Sequence, residues 1–288
     1  MKKGLHFYMH SKRNKIFLLL FLVVGIGVSF FLVPQQRSFE SYVGRAEEYL
    51  QKKKFNRAIK SYLRASKAYP KHERIPEVLL AVGDVYNFSL SDSAKAGEAY
   101  RMLSERYPRS FETRRALQNA AEMYEKNEQY TQVLENYRKI IQNFPRAGDL
   151  DQIRFKIAMT EFKLKKFSEA KTTLMEIIEK NPESEISDQV LYQLGNIYFT
   201  EGNSREAIQV LETGLQKFPQ STLNLEMLFT LANAYEEIGE FDKALKFYEV
   251  LKKSYSNPKL IEKKLENLLE RIKERDKINS LKKSAVGH

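Results

Sequence analysis

Few side chains in this 288-residue chain could do chemistry, and they are scattered. The four histidines are His6, His10, His72 and His288. His6 and His10 stand four apart, a spacing that can put two imidazoles on one helix face and begin a zinc site. No third ligand follows nearby, so the pair is read as two polar residues. Glu266, Glu270 and Glu274 recur at helical spacing and could pair as acid and base. Among neighbouring lysines and arginines, such a row reads as a solvated helix face. Cysteine is absent, which removes disulfides, thiolate metal sites and a lipid-modified N-terminal cysteine, and suits an oxidising envelope compartment. No phosphate loop GxxxxGK[ST], zinc motif HExxH or nucleophile elbow GxSxG occurs. The expectation is a protein that is not an enzyme, with no catalytic residue, metal or other cofactor.

The chain does have a period. Small residues recur at Ala46, Gly83, Ala121, Ala158, Gly195 and Ala232, with gaps of 37, 38, 37, 37 and 37. Three residues after each come Tyr49, Tyr86, Tyr124, Glu161, Tyr198 and Tyr235. A second column follows at Ala58, Ala96, Val133, Ala170, Ala207 and Ala244. Each copy closes near a proline: Pro70, Pro108, Pro145, Pro182, Pro219 and, displaced by two, Pro258. A fixed period of this length predicts a stacked array, which binds other proteins more often than it does chemistry.

The fifth copy shows the unit. Leu191, Leu194, Gly195 and Tyr198 mark one face of a first helix. Glu201-Gly202-Asn203-Ser204 is a turn, with Gly202 suited to a left-handed conformation. Ala207, Leu211 and Leu215 mark a second helix, and Pro219 punctuates the repeat. Small residues let helix backbones approach, and Tyr and Phe fill the space between hairpins.

These columns resemble the tetratricopeptide repeat (TPR): Ala46, Tyr49, Phe55, Ala58, Tyr62, Ala65 and Pro70 in the first copy. The third has Ala121, Tyr124, Tyr130, Tyr137, Ile140 and Pro145, with Val133 in place of the usual Ala. The sixth has Ala232, Tyr235, Phe241, Ala244, Tyr248 and Leu251. The resemblance spans about residues 39–258 and implies an all-α, right-handed α-solenoid of six hairpins: 39–72, 76–110, 114–147, 151–184, 188–221 and 225–258. The usual period is 34 residues. The extra residues are expected after the proline, as in Pro108-Arg109-Ser110, Pro145-Arg146-Ala147, Pro182-Glu183-Ser184 and Pro219-Gln220-Ser221. The second copy has a further one in its internal turn, around Asn87–Ser93. Such loops resemble bacterial cell-envelope TPR proteins of the Tol-Pal accessory and outer-membrane-assembly type. The layout resembles the anchored, TPR-like ancillary subunit of the Sec translocon.

An array needs capped ends. Ile261, Leu265, Leu268 and Ile272 form a helical stripe, so 259–277 is expected to be a capping helix and 278–288 a basic tail. A short coiled-coil seam is the rival reading of the stripe.

In this family the first helices line the concave groove. By register, one column there is Val43, Leu80, Gln118, Phe155, Tyr192 and Phe229. Seven residues on is a second: Leu50, Asn87, Glu125, Phe162, Phe199 and Glu236. The candidate partner groove is therefore Leu80, Phe155, Phe162, Gln189, Tyr192, Asn196, Phe199, Phe229 and Asn233. Its aromatics would hold a protein or peptide, and Gln189, Asn196 and Asn233 would contact the bound backbone. The alternative is that these aromatics pack between hairpins. The lysines of the carboxylate clamp are missing from the matching positions.

Residues 16–33 are 18 residues without a charge, about 27 Å as a helix, close to the hydrocarbon thickness of a bilayer. Lys2, Lys3, Lys12, Arg13 and Lys15 precede it, and only Arg37 follows closely. The positive-inside rule then puts residues 1–15 in the cytoplasm and the repeats outside. A cleaved signal peptide is the alternative. The nearest small-x-small site, Gly25-Ile26-Gly27, is followed by apolar residues to Val33, which favours a retained anchor. The expected location is the cytoplasmic (inner) membrane, single-pass, with the array extracytoplasmic or periplasmic.

The net charge of +11 is unevenly placed. Residues 1–15 hold +5, Arg37 +1 and 259–288 +4, leaving +1 for 38–258. The nearly neutral body and the lack of a recognition motif argue against nucleic acid. The expected function is a membrane-anchored scaffold for protein partners in the cell envelope. Two alternatives are a holdase for translocated proteins and a structural protein touching cell-wall polymer or lipid through Lys277, Lys282 and Lys283.

Overall fold

The computed structural model describes residues 38–286, with side chains to 282. The expected anchor at 16–33 and its flank at 1–15 lie outside the described residues. Among the described residues no helix is long and apolar enough to cross a membrane. They form an all-α array of six antiparallel hairpins and a closing helix.

The hairpins are α1 (Phe39–Gln51) with α2 (Phe55–Ala68), α3 (Ile75–Asp84) with α4 (Ser93–Arg106), and α5 (Phe111–Lys126) with α6 (Tyr130–Asn143). They continue with α7 (Leu150–Lys163) and α8 (Phe167–Lys180), α9 (Ser187–Thr200) and α10 (Ser204–Lys217), and α11 (Asn224–Glu237) and α12 (Phe241–Ser254). Helix α13 (Pro258–Val286) closes the array.

The columns of the sequence are the seams of the stack. The second-helix column Tyr62, Tyr100, Tyr137, Leu174, Leu211 and Tyr248 is buried throughout. Where the small column is glycine, the reason is visible. A Cβ on Gly83 would fall 2.4 Å from the Tyr100 ring, and one on Gly195 would fall 2.6 Å from Leu211. The core clusters run along the chain in order, each bounded by adjacent hairpins. This is the nearest-neighbour cohesion of a solenoid.

Five of the six intra-hairpin turns are built alike, and the second is one residue longer. An amide donates to the carbonyl of the residue in the tyrosine column: Lys54 to Tyr49 (2.8 Å), Gln129 to Tyr124, Lys166 to Glu161, Asn203 to Tyr198 and Glu240 to Tyr235 (2.9 Å each). The residue before each donor is left-handed: Lys53, Glu128, Lys165, Gly202 and Gly239, with φ from 53° to 80°. Only the last two are glycine, so the other turns hold a side chain where Cβ is disfavoured. Lys165→Gly is therefore expected to stabilise the array by about 0.5–1 kcal/mol, and Gly202→Ala to destabilise it by about 1 kcal/mol. Urea midpoints of the two variants check this, and a loss of stability in Lys165→Gly would refute it.

The second hairpin absorbs its extra residue inside the helix. Val85–Ser89 is a π-helical segment, with the Leu90 amide donating to Val85 O at 3.1 Å. A π-bulge is the form in which a helix takes up one insertion. Between hairpins the proline sits second in a turn. The His72 amide donates to Tyr69 O, Ser110 to Tyr107 O, Ser184 to Asn181 O and Ser221 to Phe218 O. The residues beyond the usual period lie after this proline, as expected. After Pro108 they instead lengthen α5, which starts at Phe111 behind the capping Ser110 hydroxyl.

One boundary differs from expectation. The closing helix runs through 277 to Val286, so there is no separate tail over 278–286. Its first part caps the stack: Ile261, Leu265 and Leu268 are buried against Tyr248 and Leu251, with Ile272 half-buried. Glu161, the one carboxylate in the tyrosine column, is only 2% exposed. It accepts from Arg138 and from the Thr173 hydroxyl, both at 2.9 Å, so its charge is paired on both oxygens.

Candidate functional site

Two pairs of neighbouring first helices touch, α3 with α5 and α9 with α11, whereas no two neighbouring second helices make a comparable contact among the described residues. The first helices therefore lie on the tighter, inner side of the stack. The aromatics of the candidate groove are on these helices: Phe155 and Phe162 on α7, Tyr192 and Phe199 on α9, Phe229 on α11. All five are half-buried. Each packs against a core cluster yet keeps some ring surface in solvent. The Phe162 ring meets Phe167 at 5.5 Å between centroids, and Phe229 stacks on Tyr255 at 5.2 Å and 15°. Each ring thus lies partly against the core and partly in solvent.

The polar members of the candidate set divide. The Gln189 side chain is exposed and has no protein partner. The Asn196 carbonyl accepts from Thr230 of the next first helix at 2.9 Å, which leaves its amide without a partner. Asn233 is already spent. Its amide donates to Phe229 O at 2.7 Å, and its carbonyl accepts from the Tyr248 hydroxyl at 2.9 Å. The expectation that Asn233 contacts a bound backbone is corrected, because both ends of its amide hold the fold. Leu80 is also corrected. It is 4% exposed and lies in the first core cluster with Val78, Leu79 and Val82, as does Val43. The candidate face thus lies over α7, α9 and α11.

Two residues of this face escaped the sequence reading. Gln152 and Glu226 each carry a buried oxygen, Oε1 and Oε2, with no hydrogen-bond partner. Each stands three residues before an aromatic of the stripe, as Gln189 does before Tyr192, so the register held the signal. Tyr255 was also missed. It lies between α12 and α13, and burial pushes its phenol above the ordinary range, with Glu226 and Tyr192 adding to the rise. Orphaned acceptors beside half-exposed rings favour a ligand that brings N–H donors and apolar side chains together. An extended or helical peptide has both.

Glu266, Glu270 and Glu274 are exposed on α13. Among the described residues, no three His, Cys, Asp or Glu side chains are grouped so as to hold a metal ion.

Family models described as tetratricopeptide repeat match residues 39–72, 152–184 and 198–262. No curated protein matches the chain. Among solved structures, YrrB, described as a TPR protein with an unusual peptide-binding site, is 15% identical. That match covers 68% of this chain and 94% of YrrB, with a TM-score of 0.51. The Naa15/Naa10 complex bound to HypK matches at 15% identity over 83% of this chain and 35% of that one, with a TM-score of 0.53. A tetratricopeptide repeat protein from Parabacteroides merdae matches at 16% identity, covering 87% and 93%, with a TM-score of 0.48. At such identities the likeness is one of fold.

Proposed function

Taking as premise that the chain is a tetratricopeptide repeat protein, we propose that it is a membrane-anchored scaffold that binds a protein or peptide partner across α7, α9 and α11. The observation that carries this is the row of half-exposed aromatics, Phe155, Phe162, Tyr192, Phe199 and Phe229, on the inner side of the stack beside unpartnered polar groups. Aromatic rings on a rigid backbone give large contact area at small entropic cost. That YrrB is described as having a peptide-binding site is consistent with this use of the fold. The uncharged run at 16–33, with its basic N-terminal flank, supports an anchor that leaves the array outside the cytoplasm.

Photo-reactive residues at Phe162 and Phe199, with crosslinking in cells, test the binding face. One or two recurrent envelope partners are expected. Alanine at Phe155, Phe162 and Phe199 together should cut their yield by about tenfold or more. Partners retained at wild-type yield would sink the groove reading, and a broad smear of unrelated secreted proteins would replace the scaffold with a holdase. Topology has its own test. The chain has no native cysteine, so Ser256→Cys should react with a membrane-impermeant maleimide in cells whose inner membrane is intact. Reaction only after that membrane is opened would reverse the orientation.

A further inference from the structure

We propose that the edge of the array formed by the first three inter-hairpin loops rests on an anionic lipid surface, with a headgroup phosphate received in the cleft beside Arg109, Arg114 and Arg146. The proposal builds on the anchor reading above.

The geometry starts at the N-terminus of α1. In an antiparallel stack, every first helix begins and every second helix ends at the same edge, where the inter-hairpin loops lie. The start of α1 is pinned there. The Phe39 ring stacks on His72 at 3.6 Å between centroids, and Glu40 accepts from Arg74 at 2.8 Å. The edge is stitched onward by the Arg114–Asp149 ion pair, by Ser184 to Asp151 at 2.9 Å and by Ser221 to Asp188 at 2.6 Å. Six Cα–Cα steps join Val33 to Phe39, a reach of at most about 22 Å. A chain leaving a bilayer at Val33 therefore presents this edge to the headgroups, not the edge of intra-hairpin turns.

The chemistry of the edge fits that position only in its first half. Lys71, Arg109 and Arg146 each follow the loop proline, are exposed, and make no ion pair among the described residues. The same position in the next copies is Glu183 and Gln220. Around the fourth loop, Glu179, Glu183, Glu185 and Asp188 outnumber Lys180. Between the second and third loops lies an open cleft of about 890 Å³, lined by Arg109, Arg114, Arg146, Phe144 and Pro145. Arg114 is engaged by Asp149, yet its Nε is buried without an acceptor. Two uncompensated guanidiniums and an orphaned donor therefore share one cleft, and planar guanidinium groups suit phosphate oxygens.

Phe111 is the second, independent observation. At 68% it is the most exposed large hydrophobic among the described residues. It opens α5 at a register where the other described copies hold Glu73, Gly148, Glu185 and Thr222. An aromatic ring set among arginines at a loop edge is the arrangement that settles at headgroup depth. Basic copies held to the surface and an acidic fourth loop repelled from it would tilt the array. The aromatic face of α7, α9 and α11 would then stand clear of the membrane.

The test uses the full chain in lipid nanodiscs with a spin-labelled headgroup lipid as quencher. A single fluorophore goes on Gly148→Cys, where a Cβ meets nothing within 4 Å, or on the exposed Lys126→Cys at the opposite edge. With phosphatidylglycerol present, the label at 148 should be quenched about twofold or more beyond the label at 126. The difference should fall with salt and in phosphatidylcholine alone. It should vanish in Arg109→Glu/Arg146→Glu, and shrink in Phe111→Ala. Equal quenching at the two positions, or the same difference in neutral discs, overturns the proposal. So does a difference abolished by millimolar glycerol phosphate with the chain still on charged discs, which would mark a site for a free phosphate. A chain that does not co-migrate with the discs removes the anchor. One that co-migrates with equal quenching keeps the anchor and removes only the lipid-facing edge.

Discussion

Ending the chain at Asn257 is expected to cost about 5 kcal/mol or more and to unravel the last hairpin. That cut removes Ile261, Leu265 and Leu268, all buried, and uncovers the side of Tyr248 and Leu251 on which they lie. Each aliphatic contributes roughly 1.5–3 kcal/mol of burial, and the lower end applies because an unfolded chain already hides part of its surface. The cut also frees Glu236, which accepts from Arg271 at 2.6 Å, and the Phe241 ring, over which the Arg271 guanidinium lies at 4.7 Å. A stop after Asp276 keeps all of these contacts and should change stability by less than about 0.5 kcal/mol. Because cohesion in a solenoid passes only between neighbours, the short form should show an early urea transition for α11 and α12 ahead of the rest. The two truncations unfolding alike would mean that α13 does not cap the array.

The contrast between those cuts also marks what the sequence could show. The six hairpins were legible because close backbone approach demands small residues at fixed places, and Gly83 against Tyr100 leaves no room for anything else. The end of α13 was not legible, because the apolar stripe stops at Ile272 while helix propensity does not. After Pro258 the sequence holds no glycine or proline until Gly287. The insertion in the second hairpin was visible as a gap of 38, but a residue count cannot say whether a turn lengthens or a helix bulges. At the candidate face, register placed the aromatics on the first helices. It could not tell that the Asn233 side-chain carbonyl accepts from Tyr248, fifteen residues away, or that Leu80 is enclosed where α3 meets α2, α4 and α5. Those outcomes depend on tertiary partners that a single column does not contain.

The same buried tyrosines predict a steep loss of stability in alkali. Burial pushes the Tyr62 phenol up to about 12, with Glu47 and Glu77 adding to the rise. Tyr235 is likewise pushed up to about 12 by burial and by its 2.5 Å hydrogen bond to Glu212. Tyr100, Tyr137 and Tyr248 are also raised, with burial the main cause in each. A phenol raised on folding keeps its proton where the unfolded chain, with its ordinary value near 10, has released it. Its contribution is whole below pH 10 and is lost as pH climbs toward the folded value, at about 1.4 kcal/mol per pH unit for each phenol. Exposed pairs such as Lys52–Glu48 and Lys95–Asp92 weaken in the same window, since the lysines are raised by those carboxylates. Salt screens such exposed pairs but leaves buried phenols almost untouched. Urea midpoints between pH 9 and about 11.5 in high salt should therefore keep most of the slope. Tyr137 allows a sharper test, because its hydroxyl is buried with no hydrogen-bond partner. Tyr137→Phe removes an unsatisfied group and should stabilise the protein by about 1 kcal/mol at neutral pH. It should also reduce the alkaline slope by one proton. A slope unchanged in that variant would show that the second-helix tyrosines are not what alkali titrates.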